Sequence, residues 1–60
     1  MDLYETLGVK KNASRDTIQK AFRKKAKKTH PDRGGTSQEF MAVALAYRIL
    51  SDDGARERYD

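Results

Sequence analysis

The chain holds a single proline, Pro31, and a glycine pair, Gly34–Gly35, follows it closely. Proline disfavours the α conformation in the residue before it, so a helix arriving from the N-terminal side must stop at His30. Pro31 itself has a fixed φ and no N–H to donate. Gly34 and Gly35 allow left-handed or tight-turn backbone, which reverses the chain. Whatever helices flank this segment have to fold back on one another.

Both flanks carry helical periodicity. Before the bend, Ile18, Phe22, Ala26 and Thr29, with Ala21, mark one stripe of a helix running from a Ser14 cap to about Lys28. After it, Phe40, Val43, Tyr47 and Leu50 recur at 3-4-3 spacing on a helix that Thr36 and Glu39 open as a capping box. Packed antiparallel, these stripes face each other, and Tyr4, Leu7 and Val9 cover one open side. The predicted core is Tyr4, Leu7, Val9, Ile18, Phe22, Ala26, Phe40, Val43, Tyr47 and Leu50. Asp2 with Glu5 caps a short first helix, "LYETL", that Gly8 ends, and Asp52 caps a last turn, "GARERYD". No run alternates with strand periodicity. The fold class is all-α, an antiparallel hairpin of the second and third helices with short helices at either end.

Composition narrows the means of stabilisation. Sixty residues form one domain with a thin core, and 37% apolar content is below the usual 45–50% or so. There is no cysteine for a disulfide, and one histidine cannot build a structural zinc site, so neither metal nor cofactor is expected. No apolar stretch approaches the roughly 20 residues of a membrane span, and no signal-peptide pattern is visible. A soluble, cytoplasmic monomer with no membrane contact is the default expectation.

Charge is concentrated. Residues 15–28 hold seven basic residues against Asp16 alone, while the remainder has six basic and eight acidic. Lys20, Arg23, Lys24 and Lys27 lie across the side of the second helix opposite its apolar stripe. Lys25 projects at the edge of that stripe, so its stem must snorkel or find a carboxylate. A second apolar stripe, Met41, Leu45 and Ile49, occupies the far side of the third helix. It is covered by the first and last helices, or it is a docking surface for a further partner or for a missing part of this chain.

The bend displays His30, Pro31, Asp32 and Arg33 at the end of the basic helix. A His–Asp pair suggests acid–base chemistry, but the chain supplies no nucleophile, metal set or evident pocket beside it. A preorganised corner is better suited to contact with a partner. Nucleic-acid binding is the rival reading of the lysine-rich helix. Against it, the turn is too long for an ordinary helix-turn-helix, and no helix offers Asn, Gln or Arg spaced for base edges. A solvated face with no partner would leave seven basic residues repelling one another without compensation.

Four segments in order resemble one family. "LYETLGV", "IQKAFRKKAKKTHPDRGG", "FMAVALAYRILSD" and "ARERYD" are similar to the opening motif, basic second helix with His-Pro-Asp loop, third helix and closing turn of the J-domain family of DnaJ-type co-chaperones. The likeness covers almost the whole chain, and it departs from the family pattern at Gln19, Lys27, Thr29, Met41 and Leu45. It implies a non-enzymatic domain, residues 1–60, expected to be the N-terminal module of a longer protein. It further implies binding to a DnaK-type 70 kDa heat-shock chaperone in its ATP state and stimulation of that partner's ATP hydrolysis. His30, Pro31 and Asp32 would be the trigger. Lys20, Arg23, Lys24, Lys27 and Arg33 would meet the partner's acidic surface, with Phe22 orienting the helix.

Overall fold

In the computed structural model, which describes residues 2–60, every α-helix begins at a side chain that accepts a backbone N–H. Asp2 accepts from Tyr4 and opens α1, Leu3–Leu7. Ser14 accepts from Thr17 and opens α2, Arg15–Thr29. Thr36 accepts from Glu39 and opens α3, Ser37–Leu50. Asp52 accepts from Gly54 and opens α4, Asp53–Tyr59. A 3-10 turn, Pro31–Arg33, joins α2 to α3. Each such cap is worth about 1 kcal/mol, because it satisfies an N–H that has no partner inside the helix. In a domain with so small a core, four of them are a substantial fraction of the stability.

The long helices α2 and α3 pack as a hairpin, and α1 lies across them, more against α3 than against α2. Leu3, Tyr4, Leu7, Ile18, Val43, Ala46 and Leu50 are buried and form one cluster. Leu3 extends the expected core, since α1 lays one whole side on α3. Five residues expected there are only half-buried: Val9, Phe22, Ala26, Phe40 and Tyr47. Phe22 and Tyr47 stack face to face at the outer edge of the α2–α3 seam, with centroids 4.2 Å apart and planes at 17°. Among the described residues nothing buries that ring pair further.

The reading in which flanking helices cover the second stripe of α3 fails for two of its three residues. Val43, Ala46 and Leu50 centre the buried side of α3, which places Met41 almost diametrically opposite at 100° per residue. Met41 is 69% exposed and Leu45 45% exposed. Ile49 alone turns far enough round the helix to pack against the core.

The far end of the chain is clasped to its beginning. The buried Tyr4 hydroxyl donates to both carboxylate oxygens of Asp60, at 2.7 and 2.9 Å, and accepts from Arg56 Nε at 3.2 Å. Arg56 Nη2 donates to the Lys11 and Ala13 carbonyls, at 2.8 Å each. The Leu3 N–H donates to the Tyr59 hydroxyl at 3.0 Å. Thus α4 is held to α1 and to the α1–α2 loop mainly by polar contacts. Among the described residues no buried side-chain polar atom lacks a partner.

Burial pushes the Tyr4 hydroxyl above the ordinary phenol value of 10.0, and its bond to Asp60 adds to the rise against the opposing pull of Arg56. A folded-state value above the unfolded one favours the fold while the phenol is neutral. That contribution is complete below about pH 10 and is lost as pH climbs through the folded-state value. Tyr4→Phe keeps the buried ring and removes the bonds of its hydroxyl to Asp60 and Arg56. It should lower stability at pH 7 by about 1–2 kcal/mol and shrink the further loss between pH 7 and the alkaline range, as read by denaturant unfolding at both pH values.

Candidate functional site

The bend between α2 and α3 is built almost entirely from backbone. The last helical bond of α2 runs from the His30 N–H to the Ala26 carbonyl at 3.1 Å. His30 then turns to φ −63°, ψ 134°, the extended geometry that a following proline favours. Its carbonyl accepts two N–H groups, from Arg33 at 2.9 Å and Gly35 at 3.1 Å, and the Gly34 N–H donates to Pro31 at 3.3 Å. Gly34 occupies the left-handed region at φ 92°. Gly35 serves differently. A Cβ built on it would overlap the carbonyl and Cα of Thr29, so its bare backbone lies directly on the end of α2.

Side chains finish the corner. The His30 ring stands edge-on to Phe40, centroids 5.3 Å apart at 81°. Its Nδ1 accepts the Asp32 N–H at 3.2 Å, so the neutral ring carries its proton on Nε2. Asp32 Oδ2 lies 3.8 Å from the same Nδ1. The Asp32 side chain is 90% exposed and that of His30 47% exposed. A fixed backbone therefore presents a free carboxylate to solvent, with one aromatic residue behind the histidine.

The basic side chains form a surface beside it. Lys20, Arg23, Lys24 and Lys27 are all exposed on α2. Lys20 pairs with Asp16 at 3.2 Å, but both are largely exposed, so the pair is worth little. Among the described residues no carboxylate lies within ion-pair distance of Arg23, Lys24, Lys27 or Arg33. The bend brings Arg33 back to the helix, where it shares one shallow depression with Lys24, Lys27 and Lys28. A second depression has Arg23, Lys24 and Lys27 on its rim, with Phe22 and Ala26 also lining it.

The expected trigger residues His30, Pro31 and Asp32 thus sit together, exposed, at the mouth of the cationic surface. Two contributors were not named from sequence. Phe40 is the wall behind His30, which only the shortness of the loop could have suggested. Lys28 completes the depression next to Arg33, and its place four residues after Lys24 was a visible signal. Among the described residues no group of three or more His, Cys, Asp or Glu is arranged to hold a metal.

A closed helical hairpin with an exposed His-Pro-Asp corner defines a class of protein, and comparison with known proteins identifies it. The family model for the DnaJ domain matches residues 2–60. A DnaJ protein homolog from Cucumis sativus is 56% identical over 57 residues, covering 95% of this chain and 14% of that protein. The chaperone protein DnaJ of Staphylococcus aureus (strain JH1) is 48% identical over 62 residues, covering 98% of this chain and 16% of that protein. The chain belongs to the DnaJ domain family, and it spans about one seventh of the length of these relatives. Among the described residues no helix is long and apolar enough to cross a membrane.

The close approach at the bend generates a prediction. Gly35→Ala should cost about 1–3 kcal/mol, because the added methyl has to push the α3 entry away from Thr29. Urea unfolding reads the loss. Gly34→Ala, which has open space but needs a positive φ, should cost about 1 kcal/mol.

Proposed function

We propose that this chain is a co-chaperone module that binds a DnaK-type 70 kDa heat-shock chaperone in its ATP state and stimulates the partner's ATP hydrolysis. It performs no hydrolysis of its own. The observation that carries this reading is the Asp32 carboxylate, held out by a bend whose geometry is set before any partner arrives. Asp32 accepts a charge-assisted bond from a cationic side chain near the junction of the partner's ATPase domain and linker. His30 fixes the Asp32 backbone through its N–H, and Pro31 fixes the corner. Lys20, Arg23, Lys24, Lys27 and Arg33 attract an acidic surface, accelerate encounter and set orientation.

Membership of the DnaJ domain family supports this reading, as does the separation of the two charge types. Surface cations steer at long range but discriminate weakly, and salt screens them over about 10 Å. One preorganised carboxylate adds the directional contact that a coupled conformational step needs. The same carboxylate disfavours a phosphate backbone at this end of α2, which weakens the nucleic-acid reading.

Asp32→Asn keeps the size of the side chain and the exposed setting, so circular dichroism and melting should be unchanged. Stimulated ATP turnover of the chaperone should fall roughly ten- to a hundredfold, equivalent to about 1.5–3 kcal/mol for a hydrogen bond to a charged group. Turnover stimulated as strongly as before would refute the assignment.

A further inference from the structure

The lysines of α2 do not all belong to the surface beside Asp32. On the side facing α1 a further groove of ≈ 490 Å³ shares Lys20, Lys24 and Lys28 with that surface and adds Lys25, with Val9 and Ala21 among its apolar residues. Three observations set it apart from an ordinary solvated face. Lys25 is half-buried, yet among the described residues no carboxylate reaches it, Lys24 or Lys28 within ion-pair distance. The Lys25 stem lies against Gly8 at the end of α1, its Cε 3.5 Å from the place a Cβ would occupy. Lys20, Lys24 and Lys28 stand four residues apart, so they form a row with a rise of about 6 Å between successive positions.

We infer that this α1–α2 groove is a binding site for an extended acidic peptide segment bearing an apolar side chain. In extended peptide, alternate residues lie about 6.6–6.8 Å apart and point the same way, close to the spacing of the lysine row. Carboxylates on one side of such a segment meet the ammonium groups, and an apolar side chain on the other rests on Val9 and Ala21. A single-stranded nucleic acid matches the charge but not the floor, because no aromatic residue lines the groove to stack a base. The inference is separate from the chaperone reading at Lys25, since Lys20 and Lys24 also belong to the surface assigned to that partner and Lys28 also lines the depression beside Arg33.

The probes are three: a twelve-residue Glu-rich peptide with two leucines, an all-Glu peptide of the same length, and a twelve-nucleotide thymidine oligomer. Each is titrated into the ¹⁵N-labelled chain at low and moderate salt. The leucine-bearing peptide should shift resonances of residues 7–9, 21, 25 and 28 saturably and bind more tightly than the other two. Lys25→Gln with Lys28→Gln should weaken it about tenfold without changing the melting temperature, since two ion pairs with the peptide are lost together. Asp32→Asn should bind it as the parent does, so the failure of one assignment is distinguishable from failure of the other. Equal binding of the all-Glu peptide, tighter binding of the oligonucleotide, shifts centred on Arg23, Lys27 or Asp32, or indifference to the double substitution would each overturn the site.

Discussion

The bare backbone of Gly35 lies against the last residue of α2, and the rest of the molecule is arranged around that approach. It sets how closely α3 starts to α2, and therefore which side chains of the two helices meet. With the hairpin closed at this end, Ile18 can bury against Val43, Ala46 and Leu50 beneath α1. The same closure leaves the intervening residues too short a path to fold inward. The His30 carbonyl takes two backbone N–H groups and Pro31 has none to place, so the turn satisfies itself without a hydrogen bond to the Asp32 carboxylate. A structural requirement at residues 29 and 35 thus becomes an exposed carboxylate at residue 32.

The small core makes polar contacts at the termini matter more than usual. Among the described residues seven are buried in the main cluster. The bonds from Tyr4 to Asp60 and from Arg56 to the α1–α2 loop hold α4 where little apolar surface is available to do so. Apolar burial and charge are consequently segregated. α1 packs on the side of α3 that carries Val43 and Leu50, while α2 keeps all its cations except the half-buried Lys25 in solvent.

Local chemistry was the legible part of the fold. Asp2, Ser14, Thr36 and Asp52 announce four helix starts because a short oxygen-bearing side chain before a periodic run has a specific backbone N–H to satisfy. Pro31 and its neighbours announce the bend for equally local reasons. What depends on distant pairing was not legible. Nothing in the sequence near Tyr4 indicates that its hydroxyl meets Asp60, 56 residues away. Periodicity placed Phe22 and Tyr47 on inward stripes but could not show that no third layer covers them. Likewise it gave Met41 and Leu45 an apolar stripe without showing that the flanking helices stop short of it. At the site, the two glycines look interchangeable in sequence, yet Gly34 supplies a positive φ and Gly35 a close approach.

The proposed function calls for stiffness at one corner beside exposed cationic side chains. Long lysine side chains adapt to a partner's surface at low energetic cost, whereas the carboxylate that follows Pro31 is useful only if its direction is already set. The most direct measurement is the ¹⁵N relaxation of the free domain. Order parameters for His30, Asp32, Arg33, Gly34 and Gly35 should match those of α2 and α3, at about 0.85. Values below about 0.6 across these residues, with the helices still rigid, would contradict a corner formed in advance of binding.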